Sequence, residues 1–127
     1  MALFRTDSVV LCHSNLEVAK RWWTDAFDCK QSKVPEDWNN HLPSDLALKL
    51  PGYEEPTILL CDRAEVQQAG FTPPTGTPVI FSDKLKKAYE YLFGRGVSPG
   101  PIQDGGDTQF FEIRDPEGNT IEICKEP

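Results

Sequence analysis

The sequence contains no apolar run close to the ~20 residues a helix needs to cross a bilayer and no cluster of Lys or Arg. The first absence excludes a helical membrane span. The second, set against a formal net charge of −7, leaves nothing local to neutralise a phosphate backbone or an anionic lipid surface, so neither nucleic acid nor membrane is expected as a partner. Cysteine is sparse: Cys12, Cys29, Cys61 and Cys124 lie far apart, with no Cys-x-x-Cys pair. No secretory signal precedes the strand pattern, because Met1-Ala2-Leu3-Phe4-Arg5 runs directly into it. Reduced thiols and a cytoplasmic location are the expectation. What the chain does have is 127 residues, 39% of them hydrophobic. That is room for one compact domain, or two very small modules sharing a core, with one functional pocket. An acidic balance favours a cationic ligand only if the charge lies beside that pocket, and a solvated acidic surface explains it as readily.

Ser8 to His13 is a short β-branched and apolar run suited to a buried strand, followed by Ser14-Asn15, a good helix N-cap pair. Leu16, Ala19, Trp23, Ala26 and Phe27 then recur at helical spacing, with Glu17, Lys20, Arg21 and Asp25 on the other face. A strand near Cys29 to Lys33 precedes a Pro, Asn and Asp-rich stretch. Leu46–Leu50 and Thr57–Cys61 follow as strands joined by a turn-prone segment. Ala64 to Thr75, with Gly70, Pro73 and Pro74, reads as a linker or lid loop. The order then repeats: a strand over Thr77–Phe81, an N-cap at Ser82 or Asp83, and a helical stripe of Leu85, Ala88, Tyr89, Leu92 and Phe93 stopped at Gly94 and Gly96. A short strand at Val97, a Gly105-Gly106 turn, and strands over Thr108–Arg114 and Asn119–Cys124 close the chain. The repeated element order is the informative signal.

Asp115-Pro116-Glu117-Gly118-Asn119-Thr120-Ile121-Glu122-Ile123, preceded by Phe111-Glu112-Ile113-Arg114, resembles the closing hairpin of the vicinal oxygen chelate superfamily (glyoxalase, bleomycin-resistance protein and dioxygenase). The same residues are also good turn chemistry in their own right. Asn15 to Trp23, with the pair Trp22-Trp23, resembles the family's first helix, so the resemblance covers nearly the whole chain; it is weakest over Gln31 to Asp45. It implies an α+β fold of two βαβββ modules forming a curved mixed sheet around a concave pocket, with helices on the outer face. Residues 1–127 would form a single domain: module one over about 6–63, a linker over 64–76 and module two over 77–125. A homodimer is implied in the same way.

The resemblance places the metal-ligand positions of metal-dependent members at Ser8, about Leu59, Pro78 and Glu122, of which only Glu122 is a conventional ligand. No metal and no cofactor is therefore expected. His13 has the strand parity opposite to Ser8 and faces the helix, and His41 lies in a loop of unassigned position. Parity gives a cavity-facing, ligand-binding set of Ser8, Val10 and Cys12 from the first strand, Pro78 and Ile80 from the fifth, and Thr120, Glu122 and Cys124 from the last. Such a pocket is apolar with a few polar groups. Without a metal, three roles are open to Glu122: an anchor for a cationic or hydroxyl-bearing ligand, a catalytic base, or an inert hydrogen-bonded residue. Cys12 and Cys124 could meet in this pocket, but with no histidine beside them they read as buried structural cysteines. Trp38, Tyr53 and Phe71, in loops, are placed to stack on a flat ligand, to plug the core or to pack against a second subunit. The leading function is a metal-free small-molecule binder resembling bleomycin-resistance proteins, its ligand cationic or aromatic. The alternative is a lyase, isomerase or dioxygenase of the glyoxalase type using Glu122 as metal ligand or base.

Overall fold

Two sheets of four strands each repeat one plan, and a computed structural model describes them over residues 3–38, 42–74 and 76–126. The first sheet has the order β1-β4-β3-β2, built from β1 (Val9–His13), β2 (Lys30–Ser32), β3 (Leu46–Lys49) and β4 (Ile58–Asp62). The second has the order β5-β8-β7-β6, from β5 (Val79–Ser82), β6 (Gln103–Asp104), β7 (Gln109–Arg114) and β8 (Thr120–Lys125). In each sheet the first strand pairs parallel to the last and the remaining pairs are antiparallel. The crossover in each module is a helix, α1 (Leu16–Phe27) or α3 (Leu85–Gly94). The α+β architecture of two βαβββ modules with helices on one side of the sheets is thus present.

Local chemistry explains where the helices start and stop. Asn15 accepts the Val18 N–H at 3.2 Å as the N-cap of α1, and Asp28 ends it in the left-handed region at φ 57 while returning its N–H to the Thr24 carbonyl. Lys84 precedes α3 without a side-chain cap; Ser82 only accepts the Lys84 N–H, so the expected cap at Ser82 or Asp83 is not formed as such. Gly96, at φ 84, closes α3 as Val97 bonds back to the Leu92 carbonyl. Val97 is therefore spent on terminating a helix, and the short strand expected there lies instead at β6.

One apolar core joins the modules. Trp23 and Phe27 of α1 stack with ring centroids 5.0 Å apart, and they share a cluster with Leu11, Ile58 and Leu60 of the first sheet and Ile80, Leu92, Phe111, Ile121 and Ile123 of the second module. Burying each large side chain stabilises the fold by roughly 1.5–3 kcal/mol. Phe93, expected in the α3 stripe, is 68% exposed, and Tyr91 packs on the core in its place, with its ring 5.7 Å from that of Phe4. The helix packs on β7 and β8.

The segment after β4 departs most from the reading as a loop. Residues Arg63–Gln68 form a further helix, α2, capped by Asp62, which accepts the Glu65 N–H at 3.0 Å. Its Val66 packs with Cys12, Cys61, Leu42 and Leu59, a cluster on the face of the first sheet opposite α1. Glu65 also takes the Ser44 N–H and hydroxyl, tying α2 to the chain entering β3. A six-residue helix with one buried apolar side chain has almost no periodic signal.

The modules are sewn together at two points. Arg5 exchanges both backbone hydrogen bonds with Phe81, covering the outer edge of β5 just before the chain enters β1. At the other end the β7–β8 turn docks on the β1–α1 junction. Asp115 Oδ1 accepts the N–H groups of Glu117 and Asn119, and Oδ2 bonds the Asn119 side chain and, at 2.8 Å, His13 Nε2. Glu117 accepts from the N–H and hydroxyl of Ser14 and from the Asn15 N–H. The Asp-Pro-Glu-Gly-Asn run thus closes a hairpin and also clamps one module to the other.

Candidate functional site

The face of the second sheet turned away from α3 is a grid set by strand register. One row reads Phe81, Cys124, Phe110; the next reads Val79, Glu122, Glu112; a third holds Thr120 and Arg114. The alternate residues Ile80, Ile121, Ile123, Phe111 and Ile113 point into the core. Glu122 is half-buried, and the only hydrogen bond its carboxylate makes among the described residues is a long one, at 3.8 Å, from the Cys124 thiol. Glu112 stands directly opposite it, and neither carboxylate has a salt-bridge partner among the described residues. Arg5 lies over the Phe81 ring, 4.8 Å from its centroid.

On the first sheet the corresponding row is Val10, Leu59, Ala47, Ser32. Ser8 and Val10 are exposed, whereas Cys12 is buried beneath α2. Between the two sheets a cleft of about 300 Å³ is lined by Cys12, Arg63, Thr77, Pro78, Asn119 and Thr120, among others.

The sequence-derived site residues distribute as follows. Ser8, Val10, Thr120, Glu122 and Cys124 lie on the faces turned away from α1 and α3, and Pro78 and Thr120 border the cleft. Ile80 does not line a pocket: it is fully buried in the core, and the register Val79↔Glu122 shows that β5 is one residue out of the expected phase. Val79 and Phe81 take the places given to Pro78 and Ile80. The phase is hard to read because Thr77 to Phe81 alternates no polar residue with its apolar ones and Pro78 lies outside the strand. Glu112, Phe110 and Arg114 were missed; the alternation of β7 holds the signal. Cys12 meets Cys61, its register partner, while Cys124 lies on the other sheet beside Glu122. His13 faces the helix side, fully buried against Asp115. His41 lies outside the described residues. Tyr53 and Phe71 are exposed.

A family model for the glyoxalase/bleomycin resistance protein/dioxygenase superfamily matches residues 5–123. The chain belongs to this superfamily. Among solved structures, a superfamily member from Sphaerobacter thermophilus shares 18% identity at TM-score 0.70, over 96% of this chain and 97% of that one. TioX from Micromonospora sp. ML1 shares 16% at TM-score 0.66, over 94% of each chain. A lactoylglutathione lyase from Agrobacterium tumefaciens shares 16% at TM-score 0.70, over 95% and 92%. At such identities the likeness is one of fold. No curated protein sequence matches the chain.

Metal-dependent members of the superfamily need several donors converging on one point. Here the positions hold Ser8, Leu59, Pro78 or its neighbour Val79, and Glu122: one carboxylate, with an aliphatic side chain beside it in register. Among the described residues no group of three or more His, Cys, Asp or Glu side chains is arranged to hold an ion. A hydroxyl and a single carboxylate do not compete with water for a transition metal, so the donor set does not fit one.

Proposed function

We propose that this superfamily member binds a small organic molecule, cationic or aromatic, on the helix-free face of its second sheet without a metal. The observation behind this reading is Glu122 itself, a half-buried carboxylate with no salt-bridge partner among the described residues, bordered by Val79 and Glu112 in its row and by Phe81 and Phe110 in the next. Two opposed carboxylates on neighbouring strands repel one another, and a positively charged ligand relieves that repulsion. The phenyl rings supply flat apolar area for an aromatic body. The open face and the exposed Val10 support pairing with a second copy of the chain, a homodimer in which the partner closes the site.

The test is titration calorimetry of the chelator-treated protein, first with Ni, Zn, Mn and Fe(II), then with a bleomycin-type cationic glycopeptide and a neutral aromatic compound. The metals are expected to give no heat, and the cationic ligand to bind and to raise the melting temperature. Glu122→Gln is expected to weaken that binding about 10- to 100-fold, the worth of a charge-assisted contact. Submicromolar metal binding at one site per chain, lost in Glu122→Ala, would replace this reading with a metalloenzyme. Equal ligand affinity in wild type and Glu122→Gln would remove Glu122 from the site.

A further inference from the structure

Away from the Glu122 face, the first sheet brings two thiols and a carboxylate into one row. Cys12 and Cys61 are partners in the parallel β1–β4 pairing, and both point to the side covered by α2. Continuing the antiparallel β3–β4 register (Leu46↔Leu60, Ala47↔Leu59) by one residue sets Asp45 opposite Cys61. The row therefore reads Cys12, Cys61, Asp45 across three neighbouring chain segments.

Each group has a neighbour suited to thiol chemistry. Cys12 lines the cleft between the sheets together with Arg63, whose guanidinium reaches the Cys12 carbonyl at 3.4 Å. Burial pushes the Cys12 thiol up, and Arg63 works against that shift. Cys61 is as fully buried: burial first, then the charge of Asp45, push its thiol up to about 12, so it stays protonated. Asp45 is 9% exposed; its Oδ2 accepts the Leu42 N–H, while its Oδ1 has no hydrogen-bond partner among the described residues. A buried carboxylate oxygen left open beside a protonated thiol is placed to receive that proton.

We propose that Cys12 and Cys61 form a redox-active dithiol whose substrate is a low-molecular-weight disulfide, with Cys12 as the attacking thiol and Asp45 as the base for Cys61. Cys12, after losing its proton to solvent, attacks one sulfur of the small disulfide RSSR; the S–S bond breaks, and RS⁻ leaves and is protonated to RSH. Cys61 then attacks the Cys12 sulfur while its proton passes to Asp45. The second RS⁻ departs and recovers a proton as RSH. The protein loses two electrons and two protons, and RSSR gains both. Adjacent strands hold partner Cα atoms about 4.8 Å apart, inside the roughly 4.4–6.8 Å that a disulfide spans. Cys29 is buried in the core and Cys124 has Glu122 as its neighbour, so neither has this environment.

The experiment is incubation of the full chain with oxidised glutathione, followed by intact mass measurement and peptide mapping. Wild type is expected to lose the mass of two hydrogens, to retain two of its four titratable thiols, and to yield a peptide joining Cys12 to Cys61. Cys61→Ser is expected to stop at one glutathione adduct on Cys12. In Asp45→Asn that adduct is expected to form at the normal rate and to close about tenfold more slowly. The wild-type map decides the main claim even if a variant misfolds. Four free thiols after treatment, an adduct on Cys29 or Cys124 in place of Cys12, or a Cys12–Cys61 link formed only in urea would overturn the proposal.

Discussion

Like that of Glu117, the Asp115 side chain gathers four hydrogen bonds. Burial works to raise its pKa, but bonds from His13, from the Asn119 side chain and from the Asn119 backbone outweigh that and hold the carboxyl below its usual range. Its folded pKa is thus below the unfolded value of about 3.9. The stability it contributes is complete above that value and is lost as pH falls from about 4 through the lower folded pKa. Acid unfolding followed by circular dichroism is expected to show this limb. Asp115→Asn is expected to lower stability at neutral pH by about 2–3 kcal/mol and to flatten the acid limb. An unchanged acid limb in the variant would assign the acid sensitivity elsewhere. His13 contributes to the same interaction from the β1 end, with its Nδ1 left without a partner among the described residues.

At the level of elements, the β7–β8 turn and the start of α1 act as one unit. The first N–H groups of a helix lack intrahelical partners, and a carboxylate placed among them satisfies the donors and complements the dipole. Glu117 does this from the opposite module, accepting the N–H of the N-cap Asn15 at 3.3 Å and that of Ser14 just before it at 2.8 Å. Burial pulls its pKa up, and the Ser14 and Asn15 bonds bring it below the usual value. Glu117→Ala is expected to cost about 1 kcal/mol, and hydrogen exchange should quicken selectively in the first turn of α1. Glu117→Gln, which keeps the acceptor and loses the charge, should recover about half of this. Uniform exchange across the chain would show that the cap is not local to α1. Helix α2 is a second case of contact across elements: its Val66 packs on Cys12, Cys61, Leu42 and Leu59 and its Glu65 holds Ser44, all partners remote from its own sequence pattern.

For the whole molecule, the shared core and the two seams predict one cooperative transition. Phe111 and Ile121 of module two lie in the same cluster as Trp23 and Phe27 of module one. The calorimetric and van't Hoff enthalpies of unfolding should therefore agree. Two resolved transitions would mean that the modules hold their structure separately.

Much of this was legible beforehand for stated reasons. The α1 stripe names its own buried face, because Ala19, Trp23, Ala26 and Phe27 recur every third or fourth residue, and all four are buried. The alternation in β8 places Glu122 opposite Ile121 and Ile123 without a structure. The phase of β5 was not legible, since Val79, Ile80 and Phe81 are all apolar and period two needs contrast. Nor was the neighbour of each thiol, because Cys12 and Cys61 are separated by the whole of module one and only the parallel register makes them partners. Periodicity, caps and turn residues are local properties, and they determined element order, helix faces and the family resemblance. Pairing partners, the clamp of Asp115 and Glu117 on the other module, and the row of Cys12, Cys61 and Asp45 depend on which distant segments share a surface, and packing alone decides that.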